Sequence, residues 1–269
     1  MPVATIGPAP IGERRILAFT RAVSPTLADC QLTHLERVPL DVAQAAAEHE
    51  DYERLLATLG ATVRRLPPAP DLPDAVFVED TAVVLDDVAV VARPGAISRR
   101  PETAAIEAAL ATLRPIIRLE APATLDGGDV LVAGRRVFVG LSSRTNPVAV
   151  GQLAAALAPF DYEVVPVRFA GCLHLKSAVT QIADELVLLN PDWVDASVFA
   201  GHRAVRVDPT EPHAANALPL GGSVVHPHHH PRTRARLEAE GLRVVTVEMT
   251  ELAKAEAGVT CCSLLLRSD

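Results

Sequence analysis

The chain has 269 residues, 49 % of them apolar and 22 % charged, and carries a net charge of −8 at pH 7. That share of apolar side chain excludes an intrinsically disordered chain. The acidic balance, with no Lys/Arg run, excludes a nucleic-acid footprint and suits a small cationic ligand met by local carboxylates. No apolar stretch reaches 18 residues, and Met1–Ala4 lacks the charged and apolar regions of a secretory signal. Four cysteines without a C-x-x-C pair (Cys30, Cys172, Cys261, Cys262) give neither a disulfide framework nor a zinc site at this length. The expectation is a cytoplasmic protein without a membrane segment. Monomer and homodimer are both compatible with these numbers.

Short β-type runs recur along the chain: Arg15–Phe19, Ala75–Val84, Val88–Ala92, Asp129–Val132, Arg136–Val139, Glu163–Val167, His174–Ile182, Leu186–Leu189, Ala204–Val207, Ser223–Val225, Arg243–Thr246 and Ser263–Leu266. Helical stretches lie between many of them. Leu40–Leu59 starts at Asp41, a good N-cap, and ends at Gly60, a good C-cap. Pro101–Leu113 and Pro147–Leu157 place proline in a first turn, and Arg232–Glu240 closes at Gly241. The repeating unit reads as strand pair, helix, strand, about five times over. The Pro-rich Leu66–Pro73 and the tract His226–His230 read as surface loops, and no low-complexity linker divides the chain. One domain over residues 1–269 is expected. If the units form a ring, turns distant in sequence converge on one central mouth.

Four segments carry chemistry. Gly258–Ser263 holds adjacent Cys261 and Cys262 at the tip of a terminal strand, where alternation buries one and leaves the other for a cleft. Buried cysteines are common as small hydrophobes; a nucleophilic one needs its pKa lowered by a cationic neighbour. Leu173–Ser177 places His174 and Lys176 on one face of a strand, and histidine is the side chain suited to proton transfer near pH 7. Asp126-Gly127-Gly128-Asp129 reads as a tight hairpin turn, or as two carboxylates on backbone that a ligand can approach closely. In Asp74–Thr81, Glu79 and Asp80 interrupt an apolar run, and buried carboxylates demand partners. A planar guanidinium with several N–H donors would satisfy them, as would an internal salt bridge to arginine. Arg99 and Arg144 are candidate carboxylate clamps. The tract His228–His230 lacks closed metal-ligand spacing.

Taken in order, Asp74–Val84, Arg93–Arg100, Leu125–Leu131, Val139–Asn146, Leu173–Ser177 and Thr260–Leu265 resemble the dimethylarginine dimethylaminohydrolases of the guanidino-modifying pentein superfamily. The resemblance covers nearly the whole chain. It implies an α/β fold, a five-bladed pseudosymmetric propeller of ββαβ-type repeats around a central active site. It also implies hydrolysis of Nω-methylated arginine to citrulline and an amine through a covalent Cys S-alkylthiouronium, with no cofactor and no metal. Carried across, Cys261 is the nucleophile, His174 the acid/base and Asp126 the carboxylate that orients it. Glu79 and Asp80 hold the guanidinium, Arg99 and Arg144 the α-carboxylate, and Asp74 with Leu32 the amino-acid end. Family members can have Glu where Asp126 stands; the shorter side chain keeps the charge. Arginine deiminases place an aspartate where Lys176 stands, which counts against that activity. The alternatives are another pentein hydrolase, arginine deiminase-like, and a non-catalytic binder of cationic amino acids, which would have no use for Cys261 and His174.

Overall fold

Residues 15–268 are described by the computed structural model, and they form five sheets of three strands each. In chain order the elements are β1 (Arg15–Thr20), α1 (Val42–Thr58) and β2 (Ala61–Arg65), then β3 (Ala82–Val84), β4 (Ala89–Val91), α2 (Thr103–Leu110) and β5 (Ile116–Arg118). Next come β6 (Val130–Ala133), β7 (Arg136–Leu141), α3 (Pro147–Leu157) and β8 (Glu163–Arg168), followed by α4 (Leu175–Ala178), β9 (Val179–Ala183), β10 (Leu186–Leu189) and β11 (Arg203–Arg206). Last are β12 (Leu218–Leu220), β13 (Ser223–Pro227), α5 (Pro231–Ala239), β14 (Val244–Val247), α6 (Thr250–Ala253) and β15 (Leu264–Ser268).

Every sheet follows one plan: a middle strand pairs antiparallel with one neighbour and parallel with the other. A parallel pair needs a crossover. Here α1, α2, α3 and α5 supply it, and in the β10–β11 connection a 3-10 turn over Ala196–Phe199 takes the helix's place. The ring is closed by β15 on β1, with Leu17 opposite Leu266 and Phe19 opposite Leu264. This is the five-bladed α/β propeller expected from the repeat.

Five apolar cores hold it, and each spans two adjacent blades. One packs Val83 and Val90 against Val137, Val139 and Leu153; the next joins Phe138 to Val187 and Leu189. Others join Leu188 and Val205 to Val224 and Leu237, Val225 and Met249 to Tyr52 and Leu56, and Leu17 and Leu266 to Ala89 and Ile106. At roughly 1.5–3 kcal/mol for each large apolar side chain buried, a blade's stability resides in its neighbours. A cavity of about 430 Å³ is lined by one strand of every blade, through Val83, Val130, Thr180, Leu218 and Leu264, and reaches Glu79, Lys176 and Thr260.

The caps behave as the sequence indicates. Asp41 accepts hydrogen bonds from the N–H groups of Ala43 and Gln44, and Gly60 ends the α1 turn at φ +95°. Three expectations are corrected. Only Ala82–Val84 of the expected strand Ala75–Val84 is a strand; before it the chain turns, with a 3-10 segment over Val78–Thr81. In His174–Ile182 a helical turn over Leu175–Ala178 precedes β9, so His174 and Lys176 do not share a strand face. Asp126–Asp129 is a 3-10 entry into β6 rather than a hairpin. In the first two, buried apolar residues (Ala75–Val78, Leu175) look like strand, and periodicity does not separate the two; in the third the Asp-Gly signal marks a turn without fixing its type. The histidine tract is also not a simple surface loop: β13 runs through His226, which is fully buried, and His230 is buried too. Among the described residues no helix is long and apolar enough to cross a membrane.

Candidate active site

Five turns, each leading into the first strand of a β-β-β triplet, meet at one place in the ring. They carry Glu79 and Asp80 before β3, Asp126 before β6, His174 before β9, Asn216 before β12 and Cys261 before β15. Pseudosymmetry is thus what makes residues 180 positions apart into neighbours: the Glu79 N–H donates to the Cys261 carbonyl at 3.2 Å, and the Thr260 hydroxyl donates to Glu79 Oε2 at 2.8 Å.

His174 is buried between two carboxylates. Its Nε2 lies 3.1 Å from Asp126 Oδ2, and its Nδ1 lies 3.8 Å from Asp80 Oδ1. Burial favours the neutral ring, but Asp80, the hydrogen bond to Asp126 and the charge of Asp129 outweigh it and hold the imidazolium to about pH 9. The turn that delivers His174 is braced by Asp129, which accepts the Leu175 N–H at 3.0 Å and the Ser142 hydroxyl at 2.6 Å. Burial raises the pKa of Asp129 to about 6. Asp126 also accepts the Gly95 N–H at 2.9 Å, so its carboxylate is fixed from both sides. Gly128 is obligatory here: a Cβ on it would lie 2.6 Å from His174 Nδ1 and 2.7 Å from Asp80 Oδ1.

The two guanidinium candidates are built differently. Burial opposes ionisation of Asp80, yet His174, Arg99 and the Gly128 N–H at 2.8 Å hold its pKa down at about 2. Glu79 is raised, chiefly by burial, against the pull of Lys176 Nζ on Oε1 and of Thr260 on Oε2. Each oxygen keeps a further lone pair for a ligand N–H. Cys261 is half-buried; its Sγ accepts the Gly258 N–H at 3.3 Å. Burial and then the Glu79 and Asp80 carboxylates push its thiol pKa far up, so the resting residue is a thiol. Cys262 is fully buried in an apolar cluster. Of the pair, then, one side chain fills the core and one reaches the site, although a turn rather than strand alternation separates them.

The remaining candidates lie around this centre. Asp74 accepts the Gln31 N–H at 3.0 Å and so joins the loop that carries Leu32. Arg144 has Nη1 3.8 Å from Asp126 Oδ2 and Nη2 3.3 Å from Thr33 Oγ1. Arg99 is committed inward: it binds Asp80 at 2.5 Å, Glu102 at 2.8 Å and the Phe77 carbonyl at 3.0 Å. Its contact with the centre runs through Asp80. Among the described residues one trio could hold a metal, Asp80, Asp126 and His174. It is this same proton-holding set, and a protonated imidazole donates from both nitrogens and ligates from neither.

Sequence reasoning missed three supports around the turn that carries Cys261. Asn216 Oδ1 accepts the Thr260 N–H at 3.0 Å, while its Nδ2 donates to Thr260 Oγ1 at 3.0 Å and to the Lys176 carbonyl at 3.1 Å. Tyr52, fully buried on α1, donates to the Val259 carbonyl and pairs with the Ser263 hydroxyl, both at 2.7 Å. Lys176, read from sequence only as a mark against one activity, partners Glu79.

A family model described as arginine deiminase matches residues 67–213. The chain is similar to an N(G),N(G)-dimethylarginine dimethylaminohydrolase of Streptomyces coelicolor, 40 % identical over 253 residues, 93 % of this chain and 96 % of that one. A protein of the same name from Pseudomonas aeruginosa is 34 % identical over 226 residues, 83 % of this chain and 89 % of that one. A solved structure of the Pseudomonas aeruginosa protein, a cysteine-to-serine variant complexed with citrulline, superposes with a TM-score of 0.89 at 32 % identity. It covers 94 % of this chain and 99 % of that one.

Proposed function

The chain belongs to the dimethylarginine dimethylaminohydrolase family, and on that premise we propose that it hydrolyses Nω-methylated arginines to citrulline and dimethylamine or methylamine, at Cys261. The observation that carries the reading is the sharing of charge: Glu79 and Asp80, which suppress the Cys261 thiolate, are the groups a substrate guanidinium would neutralise. Substrate arrival therefore removes the main electrostatic obstacle to its own attack.

The sequence of events is as follows. Asp80 and Glu79 accept guanidinium N–H bonds and keep the central carbon electrophilic. The thiol of Cys261 loses its proton to solvent, and the thiolate adds to that carbon. His174, an imidazolium at neutral pH, gives its proton to the departing amine nitrogen as the C–N bond breaks, leaving a Cys S-alkylthiouronium. The now neutral His174 takes a proton from a water that adds to the same carbon. As the C–S bond breaks, the remaining hydroxyl proton passes to the departing sulfur, which releases citrulline and restores the Cys261 thiol beside the His174 imidazolium. Asp126 keeps the ring oriented and its protonated form favoured throughout. At the amino-acid end, Arg144 meets the α-carboxylate and Asp74 with the backbone at Leu32 meets the α-amine, while Arg99, expected from the sequence as a second carboxylate clamp, acts instead by holding Asp80. No metal or organic cofactor enters these steps. The free cysteines support a reducing, cytoplasmic setting, and the proposed substrate supports a place in arginine metabolism, with the whole chain as one catalytic domain.

The match to the arginine deiminase model supports a second reading, release of ammonia from arginine. Lys176 weighs against it, because its ammonium, paired with Glu79, stands where that activity places a carboxylate. Single-turnover mixing with asymmetric dimethylarginine, and separately with arginine, decides between them. Citrulline with dimethylamine and inert arginine is expected. Ammonia from arginine would move the assignment to the deiminase, and binding of either without turnover would leave a binding protein.

A further inference from the structure

Residues 31–38 have no regular secondary structure and, Leu32 apart, are exposed. A loop of this kind orders only if something specific ties it down; apart from the packing of Leu32 against the core, the ties here are polar. Gln31 is held by Asp74 and the Thr33 hydroxyl by Arg144, both site residues. The Arg37 guanidinium turns back to the Ala28 and Cys30 carbonyls. The strongest tie comes from elsewhere. Three consecutive backbone N–H groups, those of Thr33, His34 and Leu35, converge on the carboxylate of Glu256 at 3.0, 2.5 and 2.6 Å. Successive amides aimed at one anion form a nest, and each such bond is charge-assisted.

Glu256 is itself unusual. Its φ of +59° lies in the left-handed region, which a non-glycine residue adopts at a cost and keeps only where the surroundings require it. It stands two residues before Gly258, whose N–H points at Cys261 Sγ. One short segment thus contacts the nucleophile at one end and the loop carrying Leu32 at the other. Apolar packing does not replace this tie: a cavity of about 580 Å³ lies beside the loop, walled by His34, Leu35 and Val38 on one side and Ala253 and Gly258 on the other.

We propose that Glu256 is a positioning residue: its carboxylate latches Thr33–Leu35, and with them Leu32, beside Asp74 and Arg144, so that substrate affinity depends on a side chain acting through the loop. The kinetic part rests on the hydrolase reading above; the structural part does not. Two variants test it. Glu256→Gly removes the carboxylate while suiting the positive φ, and Glu256→Gln keeps the length without the charge. Hydrogen–deuterium exchange at the amides of Thr33, His34 and Leu35 should rise about 10- to 100-fold in both, the factor that one charge-assisted hydrogen bond supports. Glu36→Gln, on the same loop, should leave them unchanged. KM for asymmetric dimethylarginine should rise by a similar factor, while the single-turnover rate at saturation stays within about threefold, as lost uniform binding dictates. Unchanged exchange in folded Glu256→Gly overturns the latch. Faster exchange with unchanged KM overturns the positioning role. Should the wild type turn nothing over, the exchange arm still reports on the latch, and titration calorimetry with citrulline replaces KM.

Discussion

Replacing Asp126 by Asn isolates what this carboxylate does for His174. The His174 pKa of about 9 stands above the ordinary 6.5 although burial alone would depress it. At about 1.4 kcal/mol per unit, the net rise is worth roughly 3 kcal/mol of preference for the imidazolium. Asp126 supplies it through both its hydrogen bond and its charge, alongside Asp80 and Asp129. Asparagine is isosteric, and its amide oxygen can still accept the Gly95 N–H, so the turn keeps its shape. The charge is lost while burial remains, and the His174 pKa should fall by about one to two units, to near 7. A group raised on folding stabilises the fold fully below its unfolded pKa and loses that contribution as pH rises through the folded value. Wild-type stability should therefore decline between about pH 6.5 and 9, and in Asp126→Asn the decline should begin and end earlier. An NMR titration of labelled histidine, together with kcat/KM against pH, measures both. The basic limb should move from near 9 toward 7. A limb that stays near 9 would refute Asp126 as the group holding this proton, or His174 as the acid whose proton matters.

Cys261→Ser should abolish turnover while leaving substrate binding measurable by calorimetry; substantial residual activity would place the nucleophile elsewhere. In Gly128→Ala the new methyl must displace His174 or Asp80, and kcat should fall about 100-fold or more, the cost of an ångström-scale misplacement, with circular dichroism unchanged. Tyr52→Phe leaves the buried Val259 carbonyl and the Ser263 hydroxyl short of a partner. It should cost about 1–3 kcal/mol in urea unfolding, and an unchanged midpoint would show the turn to be held by other contacts.

How far the fold and site could be read in the sequence depended on what each residue had to satisfy locally. Caps and crossover helices were legible because Asp41, Gly60 and Pro147 answer to their own backbone. The strand–strand–helix–strand rhythm followed from it. The turns into β3 and β9 were misread because Ala75–Val78 and Leu175 are as buried as any strand residue, and a sequence registers burial without direction; the one into β6 was legible as a turn but not as a 3-10 entry. β2, β5 and β12 escaped notice because Ala61–Arg65 ends in two arginines, Ile116–Arg118 is three residues long and Leu218–Leu220 centres on a proline. The carboxylates, His174 and Cys261 were visible as chemistry because together, in chain order, they left their separate structural uses less economical than a shared site. Asn216, Tyr52 and Glu256 were not, because an amide, a buried phenol and a surface glutamate are ordinary until the residues they hold are known.

Because the centre draws one turn from every blade and each apolar core is shared by two, catalysis registers the integrity of the entire ring. Loosening any blade strips partners from two cores and shifts at least one reacting or bracing group. No partly unravelled species can retain turnover. Loss of activity on heating should then track loss of structure at a single midpoint, so a simple colorimetric readout for citrulline doubles as a gauge of global folding.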